Sequence, residues 1–589
     1  MNSIAKNNIR LPLVISYILF LTLGTFYYYW FTEYLFFYQE KSTVFFVGFS
    51  YLKDHLTQPG GLLTYLSKFQ AGLYYFPLAG ALILNLEICG IILLLQKIGR
   101  RLNNKMPVVL PFLIGAVLFV LQINYLYAAV NNLAILIVLA FVYFSVTFLK
   151  EKSAWFLVLC LPFLYYLLGS FSFLFGLLYT PILAAKNQWT KIGLMWLTAA
   201  IFFFIGEKFL FYQTIETLLV YPFSLDQIGM QVFGFSFVIL LIVAFPLFTK
   251  IKVEYKIETI RIKNISLLHV IPFLLILILV FPCNLKINRK YIHYFHTEKL
   301  FYEHKYEDLI RFNVQFPSNN MLTVFTNNIA LAEIGRLSDM LFRFNQSLDG
   351  KTLFLEWQKV TEVLKRGAFY YYAIGMINEA QRWAYEYMVM KGNTPELLEL
   401  MIKTDIIKGN YNIAGKYVSM LEKTLFYKKE AKRYRNMLHN DEAVIADSEL
   451  GKKRKQDIKS DFFVIADNPP VNINKIIKAD SLNKQALEYK LSWLMLNKDM
   501  KGIVAMLPLL EEAGYTRIPA NVEEVVVTYK LLKIGELPKL LKLKVNPGTE
   551  QRFKRFYQIY QQNKGNTQQA KRSLSGEFKN TYWYYVFFG

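Results

Sequence analysis

Apolar runs long enough to cross a membrane recur through the first half of this chain, and no other feature restricts its fold as strongly. A hydrocarbon core of about 30 Å takes about 20 apolar helical residues to span. Up to about Asn284 the sequence reaches that length repeatedly, with small Lys/Arg clusters between the runs. Nine candidate spans emerge, approximately Leu11 to Phe31, Gly72 to Gln96, Pro107 to Tyr127, Ala129 to Leu149, Ser153 to Ser170, Phe171 to Ala185, Ile192 to Gly206, Met230 to Thr249 and Leu267 to Cys283. The fifth to seventh are short.

Lys and Arg in short loops accumulate on the cytoplasmic side, so the loops orient the spans. One side holds Lys6, Arg10, Lys97, Arg100, Arg101, Lys105, Lys150, Lys152, Lys186, Lys191 and the group from Lys250 to Lys263, whereas the other holds Lys41, Lys53, Lys68 and Lys208. With nine spans and a cytoplasmic N-terminus, everything after Cys283 lies outside the cytoplasm. The first run is too long for a cleaved signal and reads as an anchor. These features predict a bacterial inner-membrane protein.

Beyond Lys286 the apolar residues fall into helical spacing among abundant charges. Two domains are expected: residues 1–284, a polytopic membrane domain with a long external loop over 32–71, and residues 285–589, an extracytoplasmic helical domain. Cys89, Cys160 and Cys283 all fall in spans, so the exported domain has no disulfide. The formal charge of +23 invites a nucleic-acid reading. Much of it is the orienting loop charge plus dispersed lysines, and no basic stripe carries a binding motif, so no nucleic-acid partner is expected.

The second half contains recurring helix-turn-helix units, among them Ile329 to Leu337, Tyr371 to Ala380 and Ile406 to Ala414. Turn positions Gly335, Gly375 and Gly409 lie 40 and 34 residues apart, and Asn497 and Gly535 lie 38 apart. This resembles the tetratricopeptide repeat family, whose period is about 34 residues. Gly or Asn at the turn suits a left-handed residue. The predicted fold class is all-α, a polytopic helical membrane domain followed by an α-solenoid. Stacked helix pairs of that kind present a surface for an envelope protein or peptide. The run Gly451-Lys452-Lys453-Arg454-Lys455 reads as a solvated loop or helix face.

Within the loop over 32–71, Glu33, Asp54, His55 and the turn Pro59-Gly60-Gly61 stand among interfacial aromatics, with two short amphipathic helices around Tyr34 to Leu52 and Leu62 to Phe69. An acid just after the first span, external surface helices and the turn Gln58-Pro59-Gly60-Gly61-Leu62 resemble the C-type glycosyltransferases that use polyprenyl-phosphate sugars. That family carries Asp or an Asp-Glu pair where this chain has Glu33. The resemblance implies a lipid-linked sugar as substrate, Glu33 or Asp54 as the catalytic carboxylate, and contacts to substrate from His55, Pro59, Gly60 and Gly61. It leaves room for a divalent metal beside the acid as cofactor.

The chain is also similar to a family of bacterial multi-pass membrane proteins of unknown function. Gln58 to Leu66, Tyr74 to Gly80, Ala486 to Lys490 with Asn497-Lys498-Asp499, and Asn580 to Tyr585 carry that likeness over most of the chain. It implies the architecture and no activity.

Glu87 and Asn85 interrupt an apolar run, where an unpaired carboxylate costs at least about 2.5 kcal/mol, so Glu87 faces a cavity or a partner and is a candidate substrate, ion or proton site. Glu207 and Glu216, at the outer end of the seventh span with Asp226, could complete an external acidic site with Glu33 or be loop residues, and nothing in the sequence brings them together. His293, His296 and His304 sit near Glu298 and Glu303, yet the segment from Glu298 to Leu309 reads as an ordinary amphipathic helix, so no metal site is assigned. Three functions follow: an envelope glycosyltransferase acting through Glu33, a membrane-anchored repeat scaffold without catalysis, and a transporter coupled through Glu87.

Overall fold

The computed structural model describes residues 2–102, 109–148, 156–223, 231–248, 261–262, 265–266, 289–358, 360–458, 464 and 468–589. The chain divides into two units, Met1–Asn288 with Lys423–Phe426, and Arg289–Glu422 with Tyr427–Gly589. Both are helical. Among the described residues the one sheet is the two-residue pairing of Arg261–Ile262 with Ile265–Ser266.

The first unit is built from α1 (Asn2–Phe31), α2 (Glu33–Lys41), α3 (Phe49–Leu56), α4 (Gly61–Leu73), α5 (Pro77–Leu102), α6 (Val109–Gln122), α7 (Val130–Phe148), α8 (Phe156–Leu168), α9 (Ser172–Ala184), α10 (Trp189–Ile205), α11 (Ile215–Val220) and α12 (Gln231–Phe248). Five segments are long and apolar enough to cross a bilayer: Val14–Phe31, Pro77–Leu102, Val130–Phe148, Val158–Ala184 and Trp189–Leu210. Val109–Gln122 and Val232–Leu247 are shorter apolar helices. Their outward faces carry large apolar side chains, with Phe233 82% and Leu240 63% exposed, which water would penalise and lipid would not. The chain is a membrane protein. The expected span Leu267 to Cys283 lies outside the described residues.

The apolar stretch Val158–Ala184 is not one continuous helix: where the sequence divides Ser153 to Ser170 from Phe171 to Ala185, Gly169 adopts φ +62 and separates α8 from α9. Each has 13 residues, about 20 Å of helix, which is less than the bilayer's hydrocarbon thickness. Ser170 secures the break: its N–H donates to Tyr221 O at 2.9 Å and its hydroxyl to Val220 O at 2.9 Å. Within this unit Thr424 also pairs with Phe46 in an isolated antiparallel bridge.

The second unit is a succession of helical hairpins. Thr361–Ala373 turns into Ile377–Lys391 at Gly375, and Pro395–Lys408 into Tyr411–Glu422 at Gly409, both glycines lying in the left-handed region with φ of +86 and +76. Thr394 caps Pro395–Lys408 by accepting the Leu397 N–H, and Asn483 caps Lys484–Leu496 by accepting that of Ala486. Trp383 and Trp583 are fully buried, and Gly367 exists to admit Trp383: a Cβ there would lie 2.1 Å from its ring.

Two sequence expectations require correction here. At the later turns the left-handed residues are Lys498 (φ +57) and Lys533 (φ +51), whereas Asn497 has φ −81 and Gly535 stays outside the positive-φ region. Gly535 is instead packed against the Tyr529 hydroxyl. The basic run Gly451 to Lys455 is solvated only in part: it lies in the helix Leu450–Gln456, where Lys452 and Lys455 are exposed but Lys453 is 2% exposed and donates to Glu333 Oε1 (3.0 Å) and Ala373 O (2.6 Å). Arg454 donates to Ile407 O, Asp441 and Tyr411. Charge spacing alone does not reveal that a carboxylate 120 residues away is waiting for the lysine.

Candidate functional site

Thr32 is the joint between α1 and α2. It is fully buried, its hydroxyl donates to Tyr28 O at 3.1 Å, and its carbonyl accepts the Leu35 N–H at 3.0 Å, so α1 ends and α2 begins with a change of direction. Glu33 is the first residue of α2 and is exposed, while Tyr34, Leu35 and Phe36 behind it are buried. A carboxylate at a helix N-terminus is favoured by the helix dipole. Tyr34 anchors the segment by donating to Ile123 O at 3.0 Å.

Asp54 and His55 stand in the last turn of α3, on a different helix from Glu33, with Asp54 exposed and His55 half-buried. The His55 ring packs on Tyr51 at 4.3 Å and Tyr65 at 5.9 Å. Its Nδ1 lies 2.8 Å from Tyr51 O. A carbonyl only accepts, so Nδ1 carries the proton and Nε2 the lone pair. Burial holds the imidazole below its usual proton affinity, and Lys68 adds to this, against the Tyr51 hydrogen bond. Burial likewise pushes the Lys68 ammonium down and the Tyr51 hydroxyl up.

Pro59, Gly60 and Gly61 are buried in the turn joining α3 to α4. Gly60 has φ +69, and its N–H donates to Tyr166 O at 3.0 Å; a Cβ would lie 2.9 Å from Gly169 N. At Gly61 a Cβ would lie 1.8 Å from His55 O. The Tyr166 hydroxyl closes the contact on Leu56 O at 2.8 Å. These glycines let two backbones meet, α3–α4 on one side and the α8–α9 break on the other, and thereby position His55.

Glu87 lies on α5, 6% exposed. Gln70 of α4 hydrogen-bonds its carboxyl, while Oε2 has no partner. The Gln70 amide also donates to the Tyr74 hydroxyl at 2.7 Å, and Tyr74 and Tyr127 are near enough to interact electrostatically with the carboxyl. Tyr127 extends the network by donating to Asn132 Oδ1 (3.1 Å), and Asn132 donates to Gln122 Oε1 (3.0 Å). The Tyr127 carbonyl accepts from Gln39 (2.9 Å) and Gln122 (3.2 Å). A buried polar network thus runs from the short helices α2 and α4 into the apolar helices α5 to α7. Asn85, fully buried two residues before Glu87, donates to Ala81 O at 3.0 Å and packs at Gly24 of α1.

Glu87 and its need for a partner are legible in the sequence, but the partner is not. Gln39, Gln70, Gln122 and Asn132 are uncharged and scattered over nearly 100 residues. Their one signal is that each interrupts or borders an apolar run. Among the described residues no group of three His, Cys, Asp or Glu is arranged to hold a metal ion. His293 instead makes a 2.7 Å hydrogen bond to Asn313 Oδ1.

Residues 8–589 match the family of unknown function DUF6057, and the chain belongs to that family. No curated protein and no solved structure matches it.

Proposed function

We propose that this DUF6057 protein is a membrane-embedded glycosyltransferase of the polyprenyl-phosphate-sugar type, acting at the outer face of the bacterial inner membrane. The observation that carries this reading is the segment between α1 and α5. It is folded into α2, α3 and α4, packed onto apolar helices through Thr32, Tyr34 and the Gly60 turn, and it leaves the Glu33 and Asp54 carboxylates exposed. A linker between spans has no need of such construction.

In this mechanism Glu33 takes the acceptor proton as its oxygen attacks the anomeric carbon, the carbon–phosphate oxygen bond breaks, and the polyprenyl phosphate leaves. His55, neutral and oriented by Tyr51 O, offers Nε2 as a hydrogen-bond acceptor to a sugar hydroxyl. Glu87 and its network hold the external helices to the apolar ones. The second unit, a tetratricopeptide-like solenoid outside the cytoplasm, presents the acceptor. The test compares envelope glycans and lipid-linked sugars by mass spectrometry in a deletion strain carrying wild type, Glu33→Gln or no copy. A glycan that returns with wild type but not with Glu33→Gln supports transfer; identical glycans in all three strains refute it.

The helical hairpins of the second unit support a second reading, a non-catalytic scaffold for envelope proteins. A scaffold would tolerate Glu33→Gln and fail when the hairpin surface is altered.

A further inference from the structure

In the second unit a loop joins the helix Ala520–Leu531 to the helix Pro547–Gln562. Its sequence mixes lysines with large apolar residues, as Leu532-Lys533-Ile534 and then as Lys539-Leu540-Leu541-Lys542-Leu543-Lys544. Folding sorts the apolar ones. Leu537 and Leu540 pack on the core and Leu543 is buried, whereas Leu541 is 88% exposed and Leu532 and Ile534 are 40% and 38% exposed.

Leu541 is held outward by construction. Glu511, in the helix Leu507–Glu512, accepts the N–H groups of Leu541 (3.1 Å), Lys542 and Leu543 (3.0 Å). A carboxylate that clasps three successive amides fixes the chain at the leucine, leaving a large apolar side chain where water penalises it.

The charge around it has one sign. Lys533, Lys539, Lys542 and Lys544 are all exposed, and among the described residues none of the four forms an ion pair with a carboxylate. Lys542 helps to hold the Glu511 carboxyl below the usual carboxylate range, but the three backbone amides do more, and that carboxylate is committed to them. Residues 530–589 hold twelve Lys and Arg against three acids, Glu536, Glu550 and Glu577. Two of those acids are taken, Glu550 by Lys530 and Glu577 by Arg555.

A fixed apolar tip among unpaired ammonium groups matches the headgroup region of an anionic bilayer. The lysine heads meet phosphates, their stems lie along the apolar boundary, and the leucine reaches the acyl chains. A protein partner would call for a broader apolar patch, and three exposed apolar residues fall short of an interface core. The chain is a membrane protein, so its second unit is tethered to a bilayer and meets headgroups at high effective concentration. We propose that the loop over 532–544 docks on the surface of an anionic lipid bilayer, its lysines at the phosphates and Leu541 in the acyl boundary. The docking is independent of any transfer chemistry.

The experiment is hydrogen–deuterium exchange, read by mass spectrometry, of the full-length protein in two kinds of nanodisc. One is phosphatidylcholine alone, the other phosphatidylcholine and phosphatidylglycerol in equal parts. Exchange over 532–544 should be slower in the anionic discs by about fivefold or more, the effect of a single lysine at such a surface. The difference should shrink at about 1 M salt, where charges are screened within about 3 Å. A triple variant, Lys533→Gln, Lys539→Gln and Lys542→Gln, and separately Leu541→Ser, should each diminish it. These side chains are exposed, so unchanged exchange in the helix Ala520–Leu531 is expected and certifies the fold of each variant. Equal exchange over 532–544 in the two discs overturns the proposal and leaves an acidic protein as the occupant. A difference undiminished by salt or by either variant overturns it as well.

Discussion

Replacing Glu524 by glutamine isolates the electrostatic cost of one buried carboxyl. Glu524 lies in the helix Ala520–Leu531 and is 4% exposed. It clasps the C-terminal helix Tyr582–Phe588: the Tyr582 N–H donates to Oε2 at 2.7 Å, and the Trp583 indole N–H donates to the Glu524 carbonyl at 2.9 Å. Burial pushes its carboxyl up to about 7, against the Tyr582 N–H, Arg552 and Asn521, which favour the ionised form. Arg552 stands 4.0 Å away and compensates only in part. Below an ordinary carboxyl value of 4.5 the folded and unfolded chains are both protonated here. Between 4.5 and about 7 the unfolded chain releases a proton that the folded chain keeps, so stability falls as pH rises; above about 7 the penalty is constant. At about 1.4 kcal/mol for each tenfold change, the full penalty is of the order of 3 kcal/mol.

Glutamine keeps an acceptor for the Tyr582 N–H and does not titrate. Glu524→Gln should therefore unfold near wild type at pH 4.5 to 5 and be more stable by up to about 3 kcal/mol at pH 8. The assay is denaturant or thermal unfolding of the full-length protein in detergent, followed by tryptophan fluorescence at both pH values. A variant that is equally displaced at both pH values, or less stable at pH 8, would show that Arg552 and Tyr582 fully support the ionised carboxylate and would refute the reasoning.

Other substitutions test the packing. Gly60→Ala forces a side chain into left-handed backbone and against Gly169, and should cost about 1–3 kcal/mol, seen as reduced monodisperse yield in detergent. Gly367→Ala drives a methyl into Trp383 and should lower the unfolding midpoint by a comparable amount, with a shifted tryptophan emission. Lys403→Met leaves Glu399 and Glu449 facing each other without a cation and should destabilise by about 3–5 kcal/mol in denaturant titration. Glu87→Leu strands Gln70 and should cost about 1–3 kcal/mol, whereas Glu87→Gln should accumulate as wild type on size-exclusion chromatography.

The parts of the fold legible beforehand are those whose cause is local. Long apolar runs mark the crossing helices, and the break at Gly169 falls where the sequence separates two short spans. The turn glycines Gly335, Gly375 and Gly409 are visible because left-handed backbone favours glycine. Lys498 and Lys533 occupy the same backbone region without glycine's signature. In the candidate site, Glu33, Asp54, His55 and Glu87 attract notice as polar residues beside or within apolar runs. The packing of Gly60 against Gly169 and of Gln70 against Glu87 does not, because each joins elements that composition treats as independent.

From the residues alone follow a membrane half, a helical second half and a short roster of chemically interesting side chains. Hydrophobic length and helical periodicity are properties of consecutive residues, and they need no neighbours to act. Which charges meet is a different matter. Lys453 finds Glu333 across 120 positions and Tyr582 finds Glu524 across 58, and only those meetings decide whether a lysine is solvated or a glutamate titrates near neutrality. Electrostatic environment depends on what folding brings within a few ångströms and takes out of water, so the tertiary structure alone determined it.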